Sequence, residues 1–164
     1  MDKPFFKGRV LLHPAYQRVQ DKTYTSEFKQ YWINGFSPLI GKDGILPVPE
    51  IYSEHAIGRA HVEPAEKTNH CDTATDQAWF LWSVGQTNTV PTSNSMLVYC
   101  VDNNRDACLL AYLDGGEENS HSILNDPTFR RNVRDRALEF FKSYGSEPMP
   151  ASEHEYLFDE KWKN

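Results

Sequence analysis

The sequence predicts an α+β domain, a small antiparallel sheet flanked by helices. Two apolar runs, residues 96–101 (MLVYCV) and 107–113 (ACLLAYL), enclose the turn-rich stretch Asp102-Asn103-Asn104-Arg105-Asp106 and read as a β-hairpin. Residues 57–63 (IGRAHVE) alternate in character with the period of a strand. Helical periodicity brackets these strands over 23–34 and 127–142.

Taken in order, residues 9–13 (RVLLH) read as a short strand or the start of a helix, interrupted by Pro14. Over 23–34, Tyr24, Phe28, Tyr31 and Trp32 fall on one helical face, and Gly35 ends the helix. Residues 38–49 hold two glycines and three prolines and read as a loop, with Lys42 and Asp43 at its bend and Asp43 solvated. In the 57–63 strand, Gly58, Ala60 and Val62 form the core side, leaving Arg59, His61 and Glu63 in a row on the accessible side. Residues 64–76 are a polar loop, 78–84 (AWFLWSV) a buried strand, and 85–94 a second loop. The last helix starts at Asn125-Asp126-Pro127, a cap followed by proline at the first helical position. Phe129, Val133, Ala137, Phe140 and Phe141 form its apolar face; Arg130, Arg131, Arg134 and Arg136 occupy much of the rest. One domain over 1–144 is expected, with the helices on one side of the sheet. A tail over 145–164 docks on it through Tyr156, Leu157, Phe158 and Trp162.

Composition narrows the function. A chain of 164 residues has room for a real core. No apolar run approaches the roughly 20 residues of a membrane span, and residues 1–8 hold no signal-like stretch, so a cytoplasmic protein without a membrane partner is the expectation. Cys71, Cys100 and Cys108 form no CxxC pair and read as buried thiols, without zinc-type spacing. Neither a phosphate loop nor a nucleophile elbow is present, and no cofactor is called for. The net charge of −6 is uneven: residues 65–126 carry −7, whereas 127–142 carry +3. Such a chain is not a general nucleic-acid binder, which is usually basic overall.

Two histidines stand out. His121 lies between the predicted hairpin and the arginine-rich helix, where it either starts that helix or carries a proton beside phosphate-binding charge. His61 lies between Arg59 and Glu63 on the accessible strand face, which is either a solvated stripe or an active-site stripe.

The ordered set of motifs resembles the YafO-type toxins of bacterial type II toxin–antitoxin modules, within the RelE-like superfamily, over residues 23–142. The set comprises the aromatic helix running into Gly35-x-x-Pro38, Gly41-x-Asp43, Ala60-His61 on a strand, Leu97-Val98-Tyr99-Cys100, Leu109-Leu110-Ala111, and His121 ahead of Ala137-x-x-Phe140. Glu63 stands where the family pattern has a second histidine. The resemblance implies a RelE-like fold and an endoribonuclease that cuts mRNA on the ribosome. It implies a cognate antitoxin as partner, with DNA contacted only through that antitoxin. Metal-independent RNA cleavage needs a base, an acid and cations around the phosphorane. His61 and His121 are the candidate acid–base pair, with Glu63 as substitute base or imidazole orienter. Arg59 and one of Arg130, Arg131 or Arg134 are the candidate phosphate ligands, and Lys42 lies within possible reach. The rival readings are a non-catalytic RelE-fold binder, such as a gyrase-type inhibitor, and an inactivated toxin working through protein contacts.

Overall fold

The structure is a computed structural model that describes residues 5–17, 23–64, 73–115 and 119–164. Along the chain run β1 (Val10–Leu12), α1 (Pro14–Gln17), α2 (Thr23–Asn34), β2 (Ile40–Ile45), α3 (Glu50–Glu54), β3 (Ile57–Val62), α4 (Thr73–Ser83), β4 (Met96–Val101), β5 (Ala107–Leu113), α5 (Ser120–Leu124) and α6 (Pro127–Tyr144). The five strands form one sheet in the order β1-β5-β4-β3-β2. The fold is α+β, as expected, but the sheet is mixed: β1 runs parallel to β5 while every other pairing is antiparallel. A hairpin forces antiparallel pairing, whereas the long connection between β1 and β5 does not.

Helices cover both faces of the sheet, not one. On the first face Tyr24, Phe28 and Trp32 of α2 pack against Ala60, Val62, Leu97, Tyr99 and Leu109. On the second, Val133, Ala137, Phe140 and Phe141 of α6, Tyr52 of α3 and Leu124 of α5 pack against Ile57, Val98, Cys100, Cys108 and Leu110. Two covered faces explain why β4 and β5 read as almost continuous apolar runs rather than as alternating ones. Cys100 and Cys108 oppose each other across the hairpin as buried free thiols, while Cys71 lies outside the described residues. The β4–β5 register shifts between Val98 and Tyr99, whose partners are Ala111 and Leu109. Leu110 is therefore the bulged residue, and Arg136 of α6 donates to its carbonyl at 2.7 Å.

Three further expectations change. The 38–49 loop contains an edge strand, β2. Its Gly41 marks a close approach rather than a bend, because a Cβ there would lie 2.3 Å from the Pro91 carbonyl oxygen and 2.8 Å from the Trp79 ring. Asp43 is not solvated: it sits on β2 between the hydroxyls of Tyr31 and Tyr99. The apolar run 78–84 is helical, lying within α4 and just beyond it. Trp79 and Trp82, three residues apart, turn toward the β2 edge and donate to Thr92 O (3.1 Å) and Ile40 O (3.0 Å).

The C-terminal residues pack on the first face through Met149, Leu157, Phe158 and Trp162. Arg105 anchors them. Its fully buried guanidinium donates to Leu157 O (2.6 Å), Lys7 O (2.5 Å) and Trp32 O (3.0 Å) and lies 4.3 Å from the Trp32 ring centre.

Candidate active site

On the second face, where β3 ends and β2 begins, a cleft of about 340 Å³ is lined by Lys42, Arg59, His61, Thr92, Ser93, Asn94 and His121. Four residues singled out in the sequence, from three elements, meet here. Alternation along β3 sends Arg59 and His61 to this face, because Ala60 and Val62 fill the core on the other. β2 pairs antiparallel with β3 and brings Lys42 alongside. α5, capped by the Asn119 side chain on Ser122 N–H (3.2 Å), carries His121 in its first turn.

His61 is only 4 % exposed. Its Nδ1 lies 2.6 Å from Ser93 O and 3.2 Å from Ser93 N, contacts that demand opposite tautomers. The shorter one places the proton on Nδ1, donating to the carbonyl, and leaves the lone pair on Nε2. Burial, aided by the charges of Arg59, His121 and Lys42, pulls the His61 pKa down to about 4. The ring is therefore neutral at pH 7. Ser93 is itself fixed: its hydroxyl lies 2.6 Å from Val62 O and 2.8 Å from Ser95 O. The 92–94 segment was read only as a polar loop, and nothing in its sequence marks it as the seat of a histidine. His121, by contrast, is exposed.

Arg59 is partly buried, and that burial alone lowers its pKa; no carboxylate offsets it. Among the described residues neither the Arg59 guanidinium nor the Lys42 ammonium has a hydrogen-bonding or ion-pairing partner. The chain holds 23 acidic and 17 basic residues, yet among the described residues no carboxylate lines this cleft. A partly desolvated cation without a carboxylate partner favours binding of an anion.

The other candidates lie elsewhere. Glu63 does not line the cleft; its N–H donates to Leu39 O (3.0 Å) and its carbonyl accepts from the Tyr24 hydroxyl (2.6 Å). Arg130 donates to Leu124 O (3.2 Å) and Asn125 Oδ1 (3.1 Å), tying the α5–α6 turn together. Arg131 reaches Thr128 and Arg134 reaches Asp135, both local contacts on α6. None of the three lines the cleft, so the second cation there is Lys42.

Comparison with known protein families, with curated proteins and with solved structures finds no match to this chain.

Proposed function

We propose that the chain is an endoribonuclease toxin of the YafO type, a cytoplasmic protein that cuts mRNA, with the ribosome presenting the substrate and a cognate antitoxin neutralising it. The observation that carries this reading is a cleft that joins a neutral, buried histidine, an exposed histidine and two cations, with no carboxylate lining it and no partner for either cation among the described residues. No helix among the described residues is long and apolar enough to cross a membrane.

The cleft holds the parts that phosphodiester transesterification requires. Arg59 and Lys42 bind the scissile phosphate and stabilise the charge of the phosphorane. His61 Nε2 takes the proton of the 2′-hydroxyl as the 2′-oxygen attacks phosphorus. The bond from phosphorus to the 5′-oxygen breaks, and His121 delivers a proton to that oxygen. The products are a 2′,3′-cyclic phosphate and a free 5′-hydroxyl. A histidine with a pKa of about 4 is a weak base before substrate binds. Two of the charges that hold it low, Arg59 and Lys42, are the ones a phosphate neutralises, so substrate binding raises its basicity.

The test is induction of the chain in growing cells. Translation is expected to stop before DNA replication, with mRNA cut, and His61→Ala or His121→Ala each to lower cutting by about 10²–10⁴-fold with the fold retained. Full activity in both single variants overturns the assignment. Replication stopping first, with mRNA intact, supports the gyrase-type binder instead.

A further inference from the structure

The sheet has a second cleft on its other face, and β2 contributes to both. Lys42 turns toward the histidine cleft. Its neighbour Asp43 turns the opposite way, into a cleft of about 820 Å³ between β2 and the C-terminal residues. Tyr31 donates to Asp43 Oδ2 at 2.7 Å and Tyr99 donates to Oδ1. Glu155, Tyr156 and Phe158 come from the tail. The charge pattern differs from that of the first cleft: among the described residues the lining holds Asp43, Glu155 and His154 and no lysine or arginine.

We propose that this second cleft binds an organic cation, a guanidinium or ammonium group on an apolar arm, with Asp43 as its counter-ion and tyrosine rings as its walls. Three observations lead there. An anionic ligand would meet two carboxylates and, among the described residues, no lining lysine or arginine, while the lining His154 directs its Nε2 to Met149 O (2.8 Å). The molecule already seats one guanidinium against this aromatic array, because Arg105 lies 4.8 Å from the Phe158 ring centre and 4.3 Å from that of Trp32. Arg105 is fully buried, does not line the cleft, and spends its donors on backbone carbonyls. Ile45, Pro47 and Leu157 offer apolar surface to the arm.

The site lies across the sheet from His61 and is independent of the RNA reading, so binding is measured on the purified full chain without RNA. Calorimetry with n-butylguanidine and n-butylamine should give saturable one-to-one binding of at least one of them, and pentanoate should give none. Asp43→Asn, which keeps a hydrogen-bond acceptor for the tyrosines, should bind about tenfold more weakly. Tyr156 is 47 % exposed, so Tyr156→Ala keeps the fold and should weaken binding several-fold. His61→Ala should bind as the wild type does. A capped Gly-Arg-Gly peptide that binds more tightly than butylguanidine identifies a protein side chain as the natural ligand; weaker binding identifies a free small-molecule cation. Absence of saturable binding by both cations, equal binding of pentanoate, or wild-type affinity in both Asp43→Asn and Tyr156→Ala overturns the proposal.

Discussion

Two residues with shifted ionisation, one on each face of the sheet, set opposite pH dependences. His61 falls from 6.5 to about 4 on folding, so the unfolded chain binds more protons in that interval. The stability it contributes is complete above about pH 6.5 and is lost as pH falls through about 4. Burial raises Asp43 from 3.8 to about 6, against the pull of the two tyrosine hydroxyls. Its contribution has the other sign: stability is gained as pH falls through about 6 and is complete below 3.8. The two effects oppose each other between about pH 6 and 4. Asp43→Asn should therefore lose stability more steeply than the wild type as pH falls across that window, and His61→Asn less steeply. Urea midpoints along a pH series give the answer, and parallel curves for all three proteins would refute the assigned shifts. At this scale the cleft was partly legible. Strand alternation placed Arg59 and His61 on one face, because period two needs no tertiary information. The burial of Asp43 was not legible, since it depends on Tyr99, 56 residues away in the chain.

Among the elements, α2 and α6 were readable because each has a long apolar face and α6 carries its own start signals, Asp126 as cap and Pro127 at the first position. α4 was not. A run as short as AWFLWSV is apolar enough for a buried strand or a helix, and periodicity over that length does not separate them. The helix prevails where the two tryptophan N–H groups find the carbonyls of Thr92 and Ile40 while Phe80 is left 61 % exposed. The arginines of α6 show the same limit: helical period places them on the helix, but not on the side that meets the cleft. α4 and the 91–94 loop lean on Gly41, and Lys42 N–H donates to Pro91 O at 2.9 Å. Gly41→Ala should push both away from β2. The expected cost is about 1–3 kcal/mol in thermal or urea unfolding, with RNA cutting reduced because Ser93, which seats His61, moves with the loop. Unchanged stability and activity would contradict this packing.

Across the whole molecule, Arg105 joins segments that are far apart in the chain: Lys7 near the start, Trp32 at the end of α2, and Leu157 near the C-terminus. Arg105→Met keeps the bulk but leaves three inward-facing carbonyls without this donor. It should cost at least about 3 kcal/mol and raise hydrogen exchange over 151–164 more than over β3–β5. Uniform exchange changes would show that the tail is held otherwise. Among the described residues the same sheet separates charge by face, with a cleft free of carboxylates on one side and a cleft free of lysine and arginine on the other. A net charge of −6 therefore says little about either site, and under the proposed function RNA delivery falls to a partner such as the ribosome. The central claim is that His61 and His121 cut RNA by proton transfer across the first cleft. It is tested most directly by end-group analysis of RNA treated with the purified chain, with ribosomes present and EDTA added once they have been removed from the cleaved RNA. The account predicts 2′,3′-cyclic phosphate and 5′-hydroxyl ends that disappear in the His61→Ala, His121→Ala double variant. Products ending in 3′-hydroxyl and 5′-phosphate, or the same cleavage by the double variant, would contradict it.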